Sequence, residues 1–240
     1  MDPLALRNVS GHANHARPRH HHAMTDVLAD TRAYYQGKIH AHGANPVGVD
    51  WGNETAQRLR FEQLLKVLPR SSASIPSIND LGCGYGALLA YLEEQGRQTD
   101  YLGIDLVPAM VEAARERFPA RGRFEVGSRC PRVADYCVAS GLFNVRNEVP
   151  PADWQAFILD VLDDLHAHSR LGFAFNCLTS YSDADRMRPT LHYGDPLWYF
   201  DLCKRKYARN VALLHDYGLY DFTIIVRKDA AFEPAASERG

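Results

Sequence analysis

Three glycines at alternate positions, directly after a short apolar run, constrain the fold of this chain more than any other feature. The stretch 77–81 predicts a β-strand, and Gly82, Gly84 and Gly86 separate it from a segment that predicts a helix over 87–95. Glycine has no Cβ, so the backbone can turn tightly there and lie close to a ligand. A strand, a glycine bend and a helix in this order indicate a nucleotide-type α/β unit whose bend faces a bound molecule.

A second strand end carries an acidic residue at a matching distance. Asp105 closes the strand predicted over 101–105, and it follows the glycines by about 20 residues, the spacing seen in nucleotide-binding α/β units. A carboxylate in this place can accept hydrogen bonds from both hydroxyls of a ribose. Together, the bend and Asp105 predict that a nucleoside-containing cofactor lies across the ends of the first two strands.

Two kinds of cofactor fit this arrangement. Gly82, Gly84 and Ala87 match the fingerprint of dinucleotide-binding proteins, which leaves a nicotinamide-dependent oxidoreductase open. Asp80 stands two positions before the first glycine, and a carboxylate beside a pyrophosphate costs on the order of several kcal/mol in a poorly solvated cleft. S-adenosyl-L-methionine carries an ammonium and a sulfonium but no phosphate, so the sign of the charge favours it.

The segment Asp80-Leu81-Gly82-Cys83-Gly84-Tyr85-Gly86 resembles the first motif of the class I S-adenosylmethionine-dependent methyltransferases, and Gly103-Ile104-Asp105 resembles their second. The order of predicted elements continues the resemblance from about 74 to 228. It implies an α/β fold: a doubly wound, seven-stranded, mostly parallel sheet with an antiparallel last strand and a helical N-terminal cover. It also implies that the glycine loop lies against the methionine part of the cofactor and that the acid of strand two holds the ribose.

The predicted domain organisation is simple, because strands and helices alternate through most of the chain. A methyltransferase domain is expected over 24–230, between two polar ends that lack apolar periodicity. The parts predicted within this domain are a helical cover (24–70), a Rossmann-like core (74–228) and an insertion on the substrate side (179–198). A disordered leader (1–23) and a flexible tail (231–240) are predicted on either side of the domain.

Composition argues against several classes of partner. The chain has 240 residues and a formal net charge of −2, so it offers no general attraction for nucleic acid or for an anionic membrane. Its apolar runs are shorter than the roughly 18 residues of a membrane span. Five cysteines, an odd number without C-x-x-C spacing, suggest neither disulfides nor a metal site. We therefore expect a cytoplasmic enzyme without a metal; the oligomeric state stays open.

Further candidate residues follow from the rule that ligands of open α/β sheets lie beyond the carboxyl ends of the strands. Ser128 is a candidate for the edge of the adenine, Leu106 for its face, and Ser140 and Gly141 for the neighbourhood of the transferred methyl group. Leu106 and Ser128 have plainer alternatives, as a core residue and a turn residue. The predicted cofactor-binding residues are Arg60, Asp80, Gly82, Cys83, Gly84, Asp105, Leu106, Ser128, Ser140 and Gly141.

The N-terminal helices are expected to cover the cofactor. Arg60 can reach the methionine carboxylate with two parallel hydrogen bonds, and Gln57 lies one turn away on the same helix face. Tyr35 and Trp51 are candidates for the same cover. The alternatives are a solvated helix face for Arg60 and plain core packing for Tyr35 and Trp51.

The acceptor is less constrained than the methyl donor. The sequence identifies no catalytic base; His192 and His215 qualify only by residue type and rough position. Residues 140–144 read Ser-Gly-Leu-Phe-Asn, unlike the Asn/Asp-Pro-Pro-aromatic motif of methylases that act on base amines. We therefore expect a small-molecule acceptor, recognised by the insertion. A non-catalytic cofactor-binding subunit and an enzyme that transfers an aminopropyl group are further alternatives.

Overall fold

The computed structural model describes residues 19–49, 53–69 and 74–228. The described strands are β1 (Ser77–Leu81), β2 (Asp100–Asp105), β3 (Arg123–Val126), β4 (Ala134–Ala139), β5 (Ser169–Leu178), β6 (Asn210–Leu214) and β7 (Asp221–Arg227). The described α-helices are α1 (Arg19–His42), α2 (Glu54–Leu64), α3 (Ala87–Glu94), α4 (Pro108–Arg117), α5 (Pro151–Ala167) and α6 (Pro196–Lys206).

The seven strands form one sheet in the order β3-β2-β1-β4-β5-β7-β6. Neighbours from β3 to β5 pair in parallel, whereas β7 lies between β5 and β6 and is antiparallel to both. The parallel strands need crossover connections, and α3, α4 and α5 supply them, whereas a short loop suffices between β6 and β7. The predicted doubly wound sheet with an antiparallel last strand is confirmed.

Both faces of the sheet are covered, which explains the continuous apolar sequence of its central strands. Along β5, Phe173 and Phe175 pack into one core with α5, and the alternate residue Ala174 packs into the other. Trp154 and Ile158 of α5 are 1% and 0% exposed. The carboxyl ends of β1, β2 and β4 therefore open at one rigid edge, where the predicted site residues lie.

Polar side chains fix the starts of two helices near this edge. Asn53 Oδ1 accepts a hydrogen bond of 2.8 Å from the Ala56 amide, so that it caps α2. Asp195 caps α6 in the same way through the Leu197 amide, and Pro196 occupies the first turn. These caps set where the cover helix and the last helix begin.

Helix α1 is longer than the sequence predicts. It spans 24 residues, whereas the apolar pattern predicts only 25–37 and an end at Gly37. Packing accounts for the difference, since Val27 joins the core beneath α5 and Ile39 packs with Val107 and Met110. Within the described ranges, no helix is both long and apolar enough to cross a bilayer. Residues 19–23, predicted as the end of a disordered leader, form the start of α1, so that part of the prediction is wrong. Residues 1–18 of the predicted leader, Trp51, and the tail lie outside the described residues.

Candidate functional site

The glycine bend holds a backbone path that other residues rarely adopt. Gly82 and Gly84 have φ values of 80° and 54°, both in the left-handed region. The amides of Gly82 and Cys83 donate to the Ile104 carbonyl at 2.7 Å and 3.0 Å, which fixes the bend to β2. A Cβ on Gly84 would lie 3.2 Å from Val49 Cγ1 of the cover. The bend therefore needs glycine both for its φ values and for the close approach of the cover.

Asp105 closes β2 and connects the bend to the next helix. Its Oδ2 accepts a 2.8 Å hydrogen bond from the Gly84 amide, and its Oδ1 accepts one of the same length from the Val107 amide. Burial raises the pKa of Asp105 to about 6, and the two backbone hydrogen bonds oppose that rise. Each carboxylate oxygen retains capacity for a second hydrogen bond, so the residue can hold the loop and a ribose hydroxyl together.

Asp80 is the more deeply buried of the two acids, at 2% exposure. The Tyr101 hydroxyl donates a 2.5 Å hydrogen bond to its Oδ2. Burial raises the pKa of Asp80 to about 7; the Tyr101 hydrogen bond opposes the rise, and the charge of Asp105 adds to it. The two acids therefore share one poorly solvated region, which a cation would stabilise.

The strand ends and the cover enclose a cavity of about 970 Å³, open solvent at its mouth included, which we call the first cavity. Its walls contain nine of the ten predicted cofactor residues: Asp80, Gly82, Cys83, Gly84, Asp105, Leu106, Ser128, Ser140 and Gly141. Cover residues Tyr35 and Gln57 also line it, as the sequence predicts. The residues predicted because they lie at the carboxyl ends of strands are therefore together in one cavity.

Arg60 is the predicted cofactor residue that the structure places elsewhere. Its guanidinium forms a buried ion pair with Asp221 at the start of β7. It lines a neighbouring cavity of about 1790 Å³, open solvent included, which we call the second cavity. The helix pattern put Arg60 on the cover correctly, but its partner is separated from it by 161 residues, and no local signal indicates that pairing.

The end of β4 is positioned by a buried amide that sequence reasoning missed. Asn176 on β5 is 0% exposed; its Oδ1 accepts a 2.6 Å hydrogen bond from the Gly141 amide, and its Nδ2 donates to Ser140 Oγ at 3.3 Å. A polar residue inside the apolar run of β5 was the available signal. Gly141 lines both cavities, so Asn176 fixes the wall between them.

The charge of the first cavity decides between the two cofactor classes. Asp80 and Asp105 both line it, and none of the described residues in its walls is lysine, arginine or histidine. A pyrophosphate would therefore meet two acids without a compensating cation, which is strongly unfavourable in a region of low polarity. A nucleoside with a sulfonium and an ammonium suits the same walls, so the residues present fit S-adenosylmethionine.

Comparisons with known proteins agree with this geometry. Residues 79–163 match a family described as a methyltransferase domain. Over 154 residues the chain is 61% identical to Rv1506c of Mycobacterium tuberculosis (strain ATCC 25618 / H37Rv), which is named as a methyltransferase; the match covers 63% of this chain and 93% of that protein. The chain belongs to the class I S-adenosylmethionine-dependent methyltransferases.

Solved methyltransferase structures share the fold. Magnesium protoporphyrin IX methyltransferase from Synechocystis PCC 6803, with bound S-adenosylhomocysteine, superposes with a TM-score of 0.58 at 10% identity, covering 83% of this chain and 99% of that one. The DhpI complex with S-adenosylhomocysteine gives 0.56 at 14% identity, covering 85% and 98%. Their likeness shows the fold. The family match, the relative and the charge of the first cavity together make this methyltransferase an enzyme whose cofactor is S-adenosylmethionine, and the dinucleotide alternative is set aside.

The second cavity of the methyltransferase lies directly beside the first, with Tyr35, Val49 and Gly141 in the walls of both. Six residues of the insertion 179–198 line it: Ser182, Arg186, Arg188, Thr190, Leu191 and Tyr193. Hydrogen bonds of 3.0 Å and 2.8 Å from the Arg146 amide to Thr190 and from the His192 amide to Asn144 fix the insertion to the loop after β4.

The two histidines proposed from residue type lie outside both cavities. Burial lowers the pKa of His192 to about 4, and its Nε2 lies 3.1 Å from the Tyr199 hydroxyl. His215 is exposed, with its ring 5.9 Å from that of Tyr181.

Cys83 lines the first cavity, but burial raises the pKa of its thiol well above the ordinary value. In the described part of the chain, no cluster of histidine, cysteine and acidic residues could hold a metal ion.

Proposed function

We propose that this methyltransferase transfers the methyl group in line to a small-molecule acceptor bound in the second cavity. The proposal rests on one observation: the two cavities share a wall, since Tyr35, Val49 and Gly141 line both. Two ligands that fill adjoining cavities can bring a donor and an acceptor atom together without a large movement of the protein. A walled cavity of this kind also suits a small molecule better than an extended polymer.

We assign the residues of the first cavity to the cofactor as follows. Asp105 accepts hydrogen bonds from the ribose hydroxyls while it continues to hold the glycine bend. The backbone of Gly82 and Gly84 lies against the methionine part, and Asp80 complements its positive charge. Leu106 and Ser128 take the adenine. When bound, S-adenosylmethionine supplies a methyl group on a sulfonium, whose departure as a neutral thioether needs no acid.

The chain's own contribution to the reaction is mainly alignment. Holding two reactants in the correct geometry supplies up to roughly 7–11 kcal/mol of rate acceleration in favourable cases. The described residues in the walls of the two cavities include no histidine, and Asp221, the acid of the second cavity, is paired with Arg60. We therefore infer an acceptor atom that is already nucleophilic when it binds, so that no histidine base takes part.

A labelled-methyl experiment tests this proposal. The purified enzyme is incubated with S-adenosylmethionine carrying a tritiated methyl group and with a cell extract, and the products are separated by size. We expect label in the small-molecule fraction, at least tenfold less with Asp105→Ala, and an unchanged yield with Asp100→Ala. Asp100 lies at the exposed opposite end of β2, which makes it a matched control. Label confined to protein or nucleic acid would contradict the proposal.

A further inference from the structure

The second cavity has an unusual charge for this chain. Four cationic side chains line it, those of Lys38, Arg60, Arg186 and Arg188, against one acidic side chain, that of Asp221. The whole chain carries a formal net charge of −2, so the composition does not explain this local excess. The walls of this cavity are therefore opposite in sign to those of the first cavity.

The Arg60–Asp221 ion pair leaves the positive charge of the second cavity mainly on the insertion. Arg60 and Asp221 are buried against each other and neutralise each other's charge. The excess is then carried by Arg186 and Arg188 of the insertion, which are exposed, and Lys38 of α1 also lines the cavity. Lys38 also lies 5.3 Å from the centre of the Tyr34 ring.

Two acidic side chains of the insertion, Asp183 and Asp185, stand close to these arginines in sequence, and neither lines the second cavity. Asp183 accepts a hydrogen bond from the Tyr220 hydroxyl and is absent from the walls of the second cavity. Arg186 and Arg188 thus border the cavity while Asp183 does not. Tyr34 and Tyr193 add aromatic surface to the same walls. A ligand that matches them has an anionic group and an apolar body.

We propose that the second cavity selects an anionic small molecule, one that carries a carboxylate, sulfate or phosphate, as the methyl acceptor. This inference rests on the proposed function, since it names the acceptor class of that site. Because the adjoining cavities are opposite in charge, each ligand has one place: the cationic cofactor lies beside Asp80 and Asp105, and the anionic acceptor lies beside Arg186 and Arg188. The exposed arginines also attract the acceptor from solution.

A pair of fluorescent probes tests the charge requirement in the complete enzyme. Anilinonaphthalene sulfonate is an aromatic anion, and N-phenylnaphthylamine is a similar aromatic molecule without the sulfonate. Both are titrated with the first cavity saturated by S-adenosylhomocysteine, whose binding is measured separately by calorimetry. We expect the sulfonate to bind at least tenfold more tightly than the amine, and its affinity to fall as ionic strength rises.

Two charge-matched double variants test whether the sulfonate probe binds in the second cavity. Arg186→Gln with Arg188→Gln removes two cations from the walls, and we expect about a tenfold loss of sulfonate affinity with no change for the neutral probe. Arg97→Gln with Arg209→Gln removes two exposed cations that do not line the cavity and serves as the control. Circular dichroism and the calorimetric S-adenosylhomocysteine affinity verify that all variants are folded.

Three outcomes would overturn the inference. The first two are equal sulfonate affinity in the two double variants and equal affinity of the two probes for the wild type. The third is a single-stranded oligonucleotide that displaces the sulfonate and binds less tightly to the variant with Arg186→Gln and Arg188→Gln. The last result would assign the cations to nucleic acid. Failure of S-adenosylhomocysteine to bind would count against the cofactor site alone, because the probe comparison measures the second cavity independently.

Discussion

At the scale of single residues, cofactor binding depends on two acids whose protons are held more tightly than usual. Burial raises the pKa of Asp80 to about 7 and that of Asp105 to about 6. Because the folded pKa of Asp80 lies above its unfolded value, its contribution to stability is present at low pH and lost as pH rises through about 7. Cofactor affinity changes in the opposite direction, since a cation and ribose hydroxyls need ionised carboxylates.

This linkage predicts a pH-dependent affinity. Lowering the pH from about 8 to about 6 protonates most of Asp80, and we expect the dissociation constant for S-adenosylmethionine to increase by about tenfold. Calorimetric titration across this range measures the change. Asp80→Asn is expected to bind more weakly at about pH 8 and to lose the part of the dependence centred near pH 7, whereas the titrations of Asp105 near pH 6 and of the ligand's own ammonium persist in both proteins. An equally steep dependence in that variant would contradict the assignment.

Removing the hydrogen bond from Tyr101 provides a second test of whether Asp80 controls the pH dependence of cofactor affinity. It favours the ionised form of Asp80, and the Tyr101 side chain is absent from the walls of the first cavity. Tyr101→Phe is therefore expected to move the midpoint of the pH profile to higher pH while the affinity at alkaline pH stays within a few fold. A profile that does not move would mean that Asp80 does not control it.

At the scale of elements, local sequence predicts those elements whose ends carry a local signal. The sequence predicts strands over 77–81 and 123–126, and the structure confirms both as β1 (Ser77–Leu81) and β3 (Arg123–Val126), because glycines or turn residues border them. Helix α1 extends beyond its predicted end at Gly37, since contacts of Ile39 with α4 outweigh the local cost of a glycine. An interior helical glycine costs only about 1 kcal/mol relative to alanine, which tertiary packing exceeds.

Gly37 accordingly offers a stabilising substitution. It is exposed within α1, and a Cβ there would meet no atom within 4 Å. We expect Gly37→Ala to increase the free energy of unfolding by roughly 0.5–1 kcal/mol, because alanine loses less backbone freedom on folding. Chemical denaturation measures the change. A loss of stability would show that α1 does not continue through this position.

The same substitution at Gly194 of the insertion is expected to lower the stability of the protein. A Cβ on Gly194 would lie 2.5 Å from Tyr199 Cε2, and Tyr199 is 1% exposed, so the ring has no room to move away. We expect Gly194→Ala to cost about 1–3 kcal/mol of stability through overpacking. It should also increase the acceptor KM, with the S-adenosylmethionine affinity unchanged. A weakened cofactor affinity with a normal KM would contradict the proposed role of the insertion.

At the scale of the whole molecule, the Arg60–Asp221 ion pair connects the cover to the sheet. Removing one partner of a buried pair typically costs about 3–5 kcal/mol, because the remaining charge stays uncompensated. We expect Arg60→Gln to lower Tm by several degrees. Arg58→Gln on the same helix is the control: Arg58 pairs with Glu94 at the surface, 2.5 Å away, and should change Tm little. Equal effects of the two substitutions would contradict a stabilising role for the buried pair.

The two cavities differ in how much of them the sequence could predict. The first is built from strand ends, and each strand end carries its own signal: Asp80 and the glycines, Asp105, Ser128, and Ser140 with Gly141. The second combines Lys38 of α1, the insertion, and the turn before Asp221, which are distant in sequence. Only the tertiary arrangement brings these segments together, and for the same reason residue type alone suggested histidines that lie outside both cavities.

The central claim is that two acids and a glycine bend hold S-adenosylmethionine in the first cavity. The most direct test is a side-by-side calorimetric titration of the wild type, Asp105→Ala and the control Asp100→Ala with S-adenosylmethionine and with NAD. We expect micromolar binding of S-adenosylmethionine, no binding of NAD, and a loss of at least tenfold, about 1.4 kcal/mol, in Asp105→Ala alone. NAD binding to the wild type, or an unchanged affinity in Asp105→Ala, would contradict the claim.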